Sequence, residues 1–255
     1  MNIFVFDIET VPDVAAGRTL YDLDGLDDKD VGRVMYHKRV EETGGSEFLR
    51  HHLHRIVAIS VVLRTPERLR VWSLGEPDAP EAELLQRFFD GIDRFTPTLV
   101  SWNGSGFDLP VIHYRSLLHG VVAARYWDTG GDFKWNNYIS RYHERHTDLM
   151  DVLSGYQPRA SARLDEIATL LGFPGKMGMS GAHVWDSYLG GDIEGIRNYC
   201  ETDVLNTYLV YQRFELIRGH LSATQYGKEC ERVREELVAM DKPHLHEFLA
   251  NWRYA

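Results

Sequence analysis

Apolar and polar positions divide the chain into strand-like and helix-like blocks. Ile3-Phe4-Val5-Phe6 is a short β-rich run that stops at Asp7 and predicts a buried strand. Residues 12–54 show no strand pattern. They are acidic at first, with Asp22, Asp24, Asp27, Asp28 and Asp30, then mixed, with a helix predicted over 28–42. This stretch reads as an insertion over one face. The run from Ile56 to Leu63 predicts a second strand and Leu69 to Trp72 a third, and the short Thr65-Pro66-Glu67 turn makes them an antiparallel hairpin. A helix follows over 81–94, with Leu84, Leu85, Phe88, Phe89 and Ile92 at helical spacing. Thr98 to Trp102 predicts a fourth strand, which passes through Asn103-Gly104 into a helix over 107–119. A fifth extended piece falls at 146–150. Beyond residue 161 helical patterns dominate, over 163–172, 192–213 and 222–240.

A three-strand meander, then strands alternating with helices, then a helical tail is an α/β pattern. No Pro/Gly/Ser-rich linker divides the chain, so one domain is expected, with the tail as a helical appendage. At 255 residues the chain is long enough to bury a full core, and its 44% apolar and 26% charged residues are ordinary globular composition. The net charge of −10 argues against a protein held to nucleic acid by bulk electrostatics, but not against one that grips a strand in a local groove. Two cysteines, Cys200 and Cys230, cannot form a disulfide framework and fit a reducing, cytoplasmic setting. The N-terminus lacks a basic leader region, and no apolar run is long enough to span a membrane.

Three groups of residues carry candidate chemistry. Asp7 and Glu9 stand at the end of the first strand, two apart, so both carboxylates point to one side. Two solvated strand-end acids would be the plain alternative. Asp108 follows the fourth strand in Asn103-Gly104-Ser105-Gly106-Phe107-Asp108, at the carboxyl edge of the sheet where open α/β folds place their sites. Taken alone it reads better as a helix N-cap ahead of Pro110. Tyr199 and Asp203 lie one helical turn apart and share a face, and a mid-helix aspartate is a poor helix former that needs a reason to be there.

Together, strand-end Asp-x-Glu, then Asn-x3-Phe-Asp, then Tyr-x3-Asp resembles the three motifs of the DEDDy 3′–5′ exonucleases. The nearest likeness is to the proofreading exonuclease of family B DNA polymerases and its stand-alone bacterial relatives. His146-Thr147-Asp148-Leu149-Met150-Asp151 and Arg163-Leu164-Asp165-Glu166-Ile167-Ala168 extend it. The resemblance implies a ribonuclease H-like fold: a five-stranded mixed sheet flanked by helices over residues 1–215, with 12–54 inserted over the active-site face and 216–255 a helical extension packed on the domain. Too few residues follow the third motif for a polymerase domain, so the chain would act alone or with a replication or repair partner protein.

The implied activity is hydrolysis of phosphodiester bonds at 3′ ends of single-stranded DNA, with release of nucleoside 5′-monophosphates. Exoribonuclease activity and a catalytically silent binding module are the alternatives. Four carboxylates in one pocket repel each other by roughly 4 kcal/mol per pair at about 4 Å and an effective dielectric of about 20, so the cluster calls for cations. All-oxygen donors suit two Mg²⁺ or Mn²⁺ ions. In that scheme Asp7 bridges the ions, Glu9 and Asp203 complete the water-activating site, and Asp108 serves the second ion. Tyr199 would orient the attacking water. Asn198 stands where the other subclass carries histidine. Thr10 and Asn103 would contact the strand, and Phe107 would stack on a terminal base, with a core position beneath the loop as its alternative.

Weaker signals point elsewhere. Residues 126–146 interleave aromatics with bases, which suits either a single-strand platform or, the favoured reading, a flap packing its own aromatics. His51, His52 and His54 lack further ligands at metal spacing. Lys176, in a flexible Gly-Lys-Met-Gly loop, could meet a phosphate but reads rather as a solvated loop lysine. Asp148 and Asp151 could extend the acidic pocket but read rather as capping or fold-supporting acids, and Cys200 faces elsewhere on the helix than Tyr199.

Overall fold

The computed structural model describes residues 2–253. Its sheet has the order β3-β2-β1-β4-β5. Strand β1 (Ile3–Pro12) is central; β2 (His54–Arg64) pairs antiparallel on one side and β3 (Leu69–Ser73) antiparallel beyond it. On the other side β4 (Thr98–Ser101) runs parallel to β1, and β5 (His146–Asp148) parallel to β4 at the edge. Three antiparallel strands followed by two parallel ones form the ribonuclease H-like arrangement that the motifs imply.

Alternation along β1 sends its side chains to two cores. Phe4, Phe6 and Ile8 face α3 (Glu81–Phe95) and α4 (Asp108–His119), packing with Phe88, Phe89, Ile92 and Ile112. Val5 faces the opposite way with Val62, Val71 and Val100, against Val204, Leu205 and Tyr208 of the long helix α8 (Ile193–Ile217). By the period of two, Asp7 and Glu9 continue the Val5 face, the one that α8 covers.

β1 is longer than its apolar run. Its ladder with β2 continues past Asp7 to Pro12, with a bulge at Glu9/Thr10. Backbone pairing, which the side-chain pattern does not report, places the two acids inside the strand rather than at its end.

Between β1 and β2 lie two helices, α1 (Val14–Tyr21) and α2 (Asp28–Thr43). The sequence pattern predicts only the second, because α1 is about two turns long and too short for a clear period. Two further short helices, α5 (Leu149–Leu153) and α6 (Leu164–Leu170), follow β5, and α7 (Val184–Leu189) precedes α8. The tail forms α9 (Ala223–Met240) and α10 (Pro243–Asn251). Val233, Leu237, Leu245, Phe248 and Trp252 enter the same core as Val5 and α8. Among the described residues no helix is long and apolar enough to cross a membrane.

Two buried ion networks fix these layers. Glu81 of α3 accepts bonds from Arg115 Nε and Nη2 at 2.7 and 2.6 Å and from the Ile56 backbone N–H at 2.7 Å, and Arg115 also binds Asp13, which caps α1. Behind α8, Glu201 accepts from the Ser73 backbone N–H and hydroxyl, both at 3.0 Å, and pairs with His244 at 2.8 Å and Lys242 at 3.2 Å. Removing one partner of such a pair strands a buried charge. Glu81→Ala is therefore expected to lower stability by about 3–5 kcal/mol in urea unfolding, since Arg115 loses two bonds where it is 4% exposed. A loss below about 1 kcal/mol would show that water replaces Glu81 there.

Candidate active site

β1 supplies Asp7 and Glu9. Asp108 arrives from the turn between β4 and α4, which is tightly built. A Cβ on Gly104 would lie 2.3 Å from Ser101 Oγ, and Asn103 holds a left-handed φ of 63°. Asp148 at the end of β5 fixes this turn, its carboxylate accepting the N–H groups of Asn103 at 2.9 Å and Ser105 at 2.8 Å. Asp148 also caps α5, accepting from Met150 at 3.1 Å. Asp108 is the first residue of α4, with Phe107 in the cap position, and its Oδ1 reaches across to accept the N–H of Ile8 at 3.2 Å. The carboxylate is thereby placed at the strand position between Asp7 and Glu9.

α8 brings Tyr199 and Asp203 over the same strand. It also brings Cys200, contrary to the expectation from its helical position. Cys200 Sγ lies 3.4 Å from the Asp7 carbonyl oxygen and 3.5 Å from Asp7 Oδ2. The helix lies flat on β1, so positions about 100° apart on its surface both meet the strand. Burial, then the charges of Asp7 and Glu9, push the Cys200 thiol up, so it stays protonated and is no nucleophile.

The acids perturb one another. Burial raises Asp7 most, followed by the charges of Asp108, Glu9 and Asp203; burial also raises Glu9, followed by Asp203 and Asp108. Burial lifts Asp108 to about 7 and Asp203 to about 6, the latter held back by its bond from Tyr199 and by Lys176. Tyr199 is itself raised, by burial and then by Asp203 and Glu9, so it is a neutral phenol that donates rather than a base. Donor atoms of Asp7, Glu9 and Cys200 lie within 4.8 Å of one another. The two carboxylates of that group fit a hard divalent cation; Asp108 and Asp203 stand outside it but close enough for their charges to raise Asp7 and Glu9.

A cavity of ≈ 360 Å³ opens at Tyr199 and Asp203, bounded by Trp102, Asn103, Arg163 and Lys176. Lys176 is exposed, as its loop position predicts, and also lines this cavity. The residue before it, Gly175, has φ 64° and is clamped by Asn206, which accepts its N–H at 3.1 Å and donates to its carbonyl at 2.8 Å. A Cβ there would lie 2.4 Å from Thr169 Oγ1. Asn206 is buried on α8, nearly one turn beyond Asp203, so the helix that carries the acid also fixes the lysine loop. The signal lay in Asn206, a buried amide whose loop partner is 31 residues away in sequence.

Thr10, Asn103 and Phe107 are placed differently. His54 Nε2 meets the Leu49 carbonyl at 3.2 Å, which only accepts, so Nδ1 accepts from the Thr10 hydroxyl at 2.9 Å. Burial lowers His54 to about 4, consistent with that neutral ring. Asn103 lines the cavity mouth. Phe107 is half-buried, packed on the core beneath and ringed by Phe48, His51 and His54 at centroid distances of 5.3, 5.9 and 5.1 Å. His51 Nε2 reaches the Gly106 carbonyl at 2.9 Å and His52 meets Tyr114, while His51 and His54 share Phe48 and Phe107.

A family model described as a predicted 3′–5′ exonuclease related to the exonuclease domain of PolB matches residues 46–252. The chain belongs to this family. The matched segment contains Asp108, Tyr199, Asp203 and both tail helices, and it begins after Asp7 and Glu9. Over 42 residues the chain is 52% identical to the catalytic subunit of DNA polymerase epsilon from Saccharomyces cerevisiae, a match covering 16% of this chain and 2% of the yeast protein. A solved structure, the zinc-bound complex of E. coli ExoI with single-stranded DNA, aligns at a TM-score of 0.35 and 12% identity, over 83% of this chain and 43% of that one.

In this family member the raised acids have a thermodynamic consequence. Their folded pKa values lie above the unfolded ones near 4, so folding takes up protons. That stabilising contribution is full below about pH 4 and lost as pH rises through about 6–7. Without metal, Asp7→Asn is expected to raise stability near neutral pH by about 1–3 kcal/mol, read as an increased Tm in chelator. An unchanged or lower Tm would mean that the cluster is relaxed without metal.

Proposed function

We propose that the chain is a metal-dependent exonuclease of the DEDDy type that removes nucleotides from 3′ ends of single-stranded DNA. The observation that supports this best is the convergence of Asp7 and Glu9, Asp108 and Asp203 from three separate parts of the chain, with the Tyr199 phenol against Asp203. Two divalent ions, Mg²⁺ or Mn²⁺, held by these four acids would activate water and neutralise charge on the phosphate.

The remaining work falls to the protein's own groups. Tyr199 holds the attacking water in line by a hydrogen bond and keeps its own proton. Attack on phosphorus breaks the bond to the 3′ oxygen of the preceding nucleotide, which leaves as a hydroxyl after protonation, and the terminal residue departs as a nucleoside 5′-monophosphate. The Thr10 hydroxyl already donates its hydrogen to His54, so it offers only lone pairs. It would accept a hydrogen bond from the terminal 3′-OH. Trp102 Nε1, buried at the cavity without a partner, and Asn103 offer donors to the strand. Lys176 meets the phosphate and offsets its charge, and Phe107 supports the terminal base from below. The net charge of −10 implies that binding to nucleic acid is weak and salt-sensitive, so a replication or repair partner would help deliver ends.

With a 3′-labelled oligonucleotide and Mg²⁺ or Mn²⁺, Asp203→Ala is expected to abolish cleavage. Tyr199→Phe should lower kcat about 100-fold or more while calorimetric metal affinity is retained. Undiminished cleavage by Asp203→Ala would remove the proposal. A matched RNA substrate degraded faster than DNA would replace the substrate half of it with an exoribonuclease.

Lys176→Ala should reduce kcat about 10- to 100-fold. Lys176→Arg should recover part of that rate, and Lys176→Ala activity equal to wild type would return the residue to a solvent role.

A further inference from the structure

A second, larger cavity of ≈ 630 Å³ opens on the other side of the catalytic loop. Ser105 lines it, while Asn103, two residues earlier, lines the cavity at Asp203. Both residues are held through their backbone N–H groups by Asp148, so the two cavities share a fixed wall.

The segment 126–146 builds much of this space, and it divides its aromatics between two tasks. Tyr126, Phe133 and Tyr138 are core residues; Tyr126 and Tyr138 stack at 5.7 Å and spend their hydroxyls on His113 and the Pro97 carbonyl. Of these rings, Tyr126 and Tyr138 line the cavity. Tyr142 is 81% exposed at its rim, with the Arg141 guanidinium 4.9 Å from its ring centroid and bonded to its hydroxyl at 2.8 Å. Tyr156, 54% exposed, also lines the cavity and lies within electrostatic reach of Arg141.

Tyr156 has a φ of 59°. A bulky side chain rarely adopts this left-handed conformation, and such strain concentrates at sites of function. Here it holds an aromatic ring at a cavity mouth. Arg218, at the end of α8, adds a second cation, one already paired with Glu215 at 3.1 Å and bonded to His220 Nδ1 at 2.8 Å. Glu144 and Asp151 line the cavity too, so stacking rather than net positive charge is its main attraction. Exposed rings beside arginines bind unpaired bases in any sequence.

We propose that this cavity seats an unpaired base of the single strand on the 5′ side of the cleaved bond, stacked on Tyr142 and Tyr156 with its phosphate toward Arg141 or Arg218. This rests on the exonuclease reading above, and adds to it a subsite outside the metal cluster.

Binding of a fluorescent decanucleotide with uncleavable phosphorothioate links tests it by anisotropy. Tyr142→Ala is expected to weaken binding about ten-fold, and Tyr142→Phe, which keeps the ring, to leave it near wild type. Tyr114→Ala, on the outer side of α4, is the surface control. Photocrosslinking with 5-iodouracil at successive positions should label Tyr142 or Tyr156 from positions 5′ of the cleaved bond and not from the terminal base. Wild-type affinity in Tyr142→Ala, or crosslinks from the terminal base alone, would overturn the subsite. Failure of the wild-type protein to cleave any 3′ end, with those crosslinks intact, would instead overturn the catalytic reading and leave the subsite standing.

Discussion

Helix α8 lies on the Val5 face of β1, and the chemistry of the protein follows from that packing. Apolar contacts of Val204, Leu205 and Tyr208 with Val5, Val62 and Val100 hold the helix down whether or not the acids farther along find it favourable. The same strand face that is valine under the middle of the helix becomes Asp7 and Glu9 toward its N-terminal half. Burial of a large apolar face can thus sustain a local concentration of like charge that would not assemble by itself. The acids stay crowded because the fold leaves them no means of separating.

Much of this was legible in the sequence because it depends on short-range periodicity. The alternation of β1 put Asp7 with Glu9, and helical spacing put Tyr199 with Asp203. The apolar runs located all five strands and the long helices. What escaped depends on partners distant in sequence. β1 runs on to Pro12 because β2 pairs with it, and the side-chain pattern does not pick out α7 or α10. Cys200 was placed wrongly because helical angle alone does not say how broad a face the strand beneath will cover.

Lys176 shows the same limit from another side. Gly-Lys-Met-Gly reads as a mobile loop, and glycines do favour that reading. The buried Asn206 amide, bonded to both backbone groups of Gly175, makes it a fixed one instead. His54 acts similarly at Thr10, setting the direction of one hydroxyl by using up its proton. In both places a polar side chain with no catalytic chemistry of its own determines what a neighbour can offer to a ligand.

The Glu201 network gives the tail a meaning that its distance from the acids conceals. Glu201 sits on α8 two residues before Asp203, facing the other way, and its counter-charges come from Lys242 and His244 at the start of α10. A gene product cut short ahead of Lys242 would keep every acid of the site yet leave the Glu201 carboxylate without its two cations. The same cut would remove Leu245, Phe248 and Trp252 from the core beneath α8, the helix that carries Tyr199 and Asp203. Lesions in the last turns of the protein can therefore weaken the support of a helix that carries two of the site's residues.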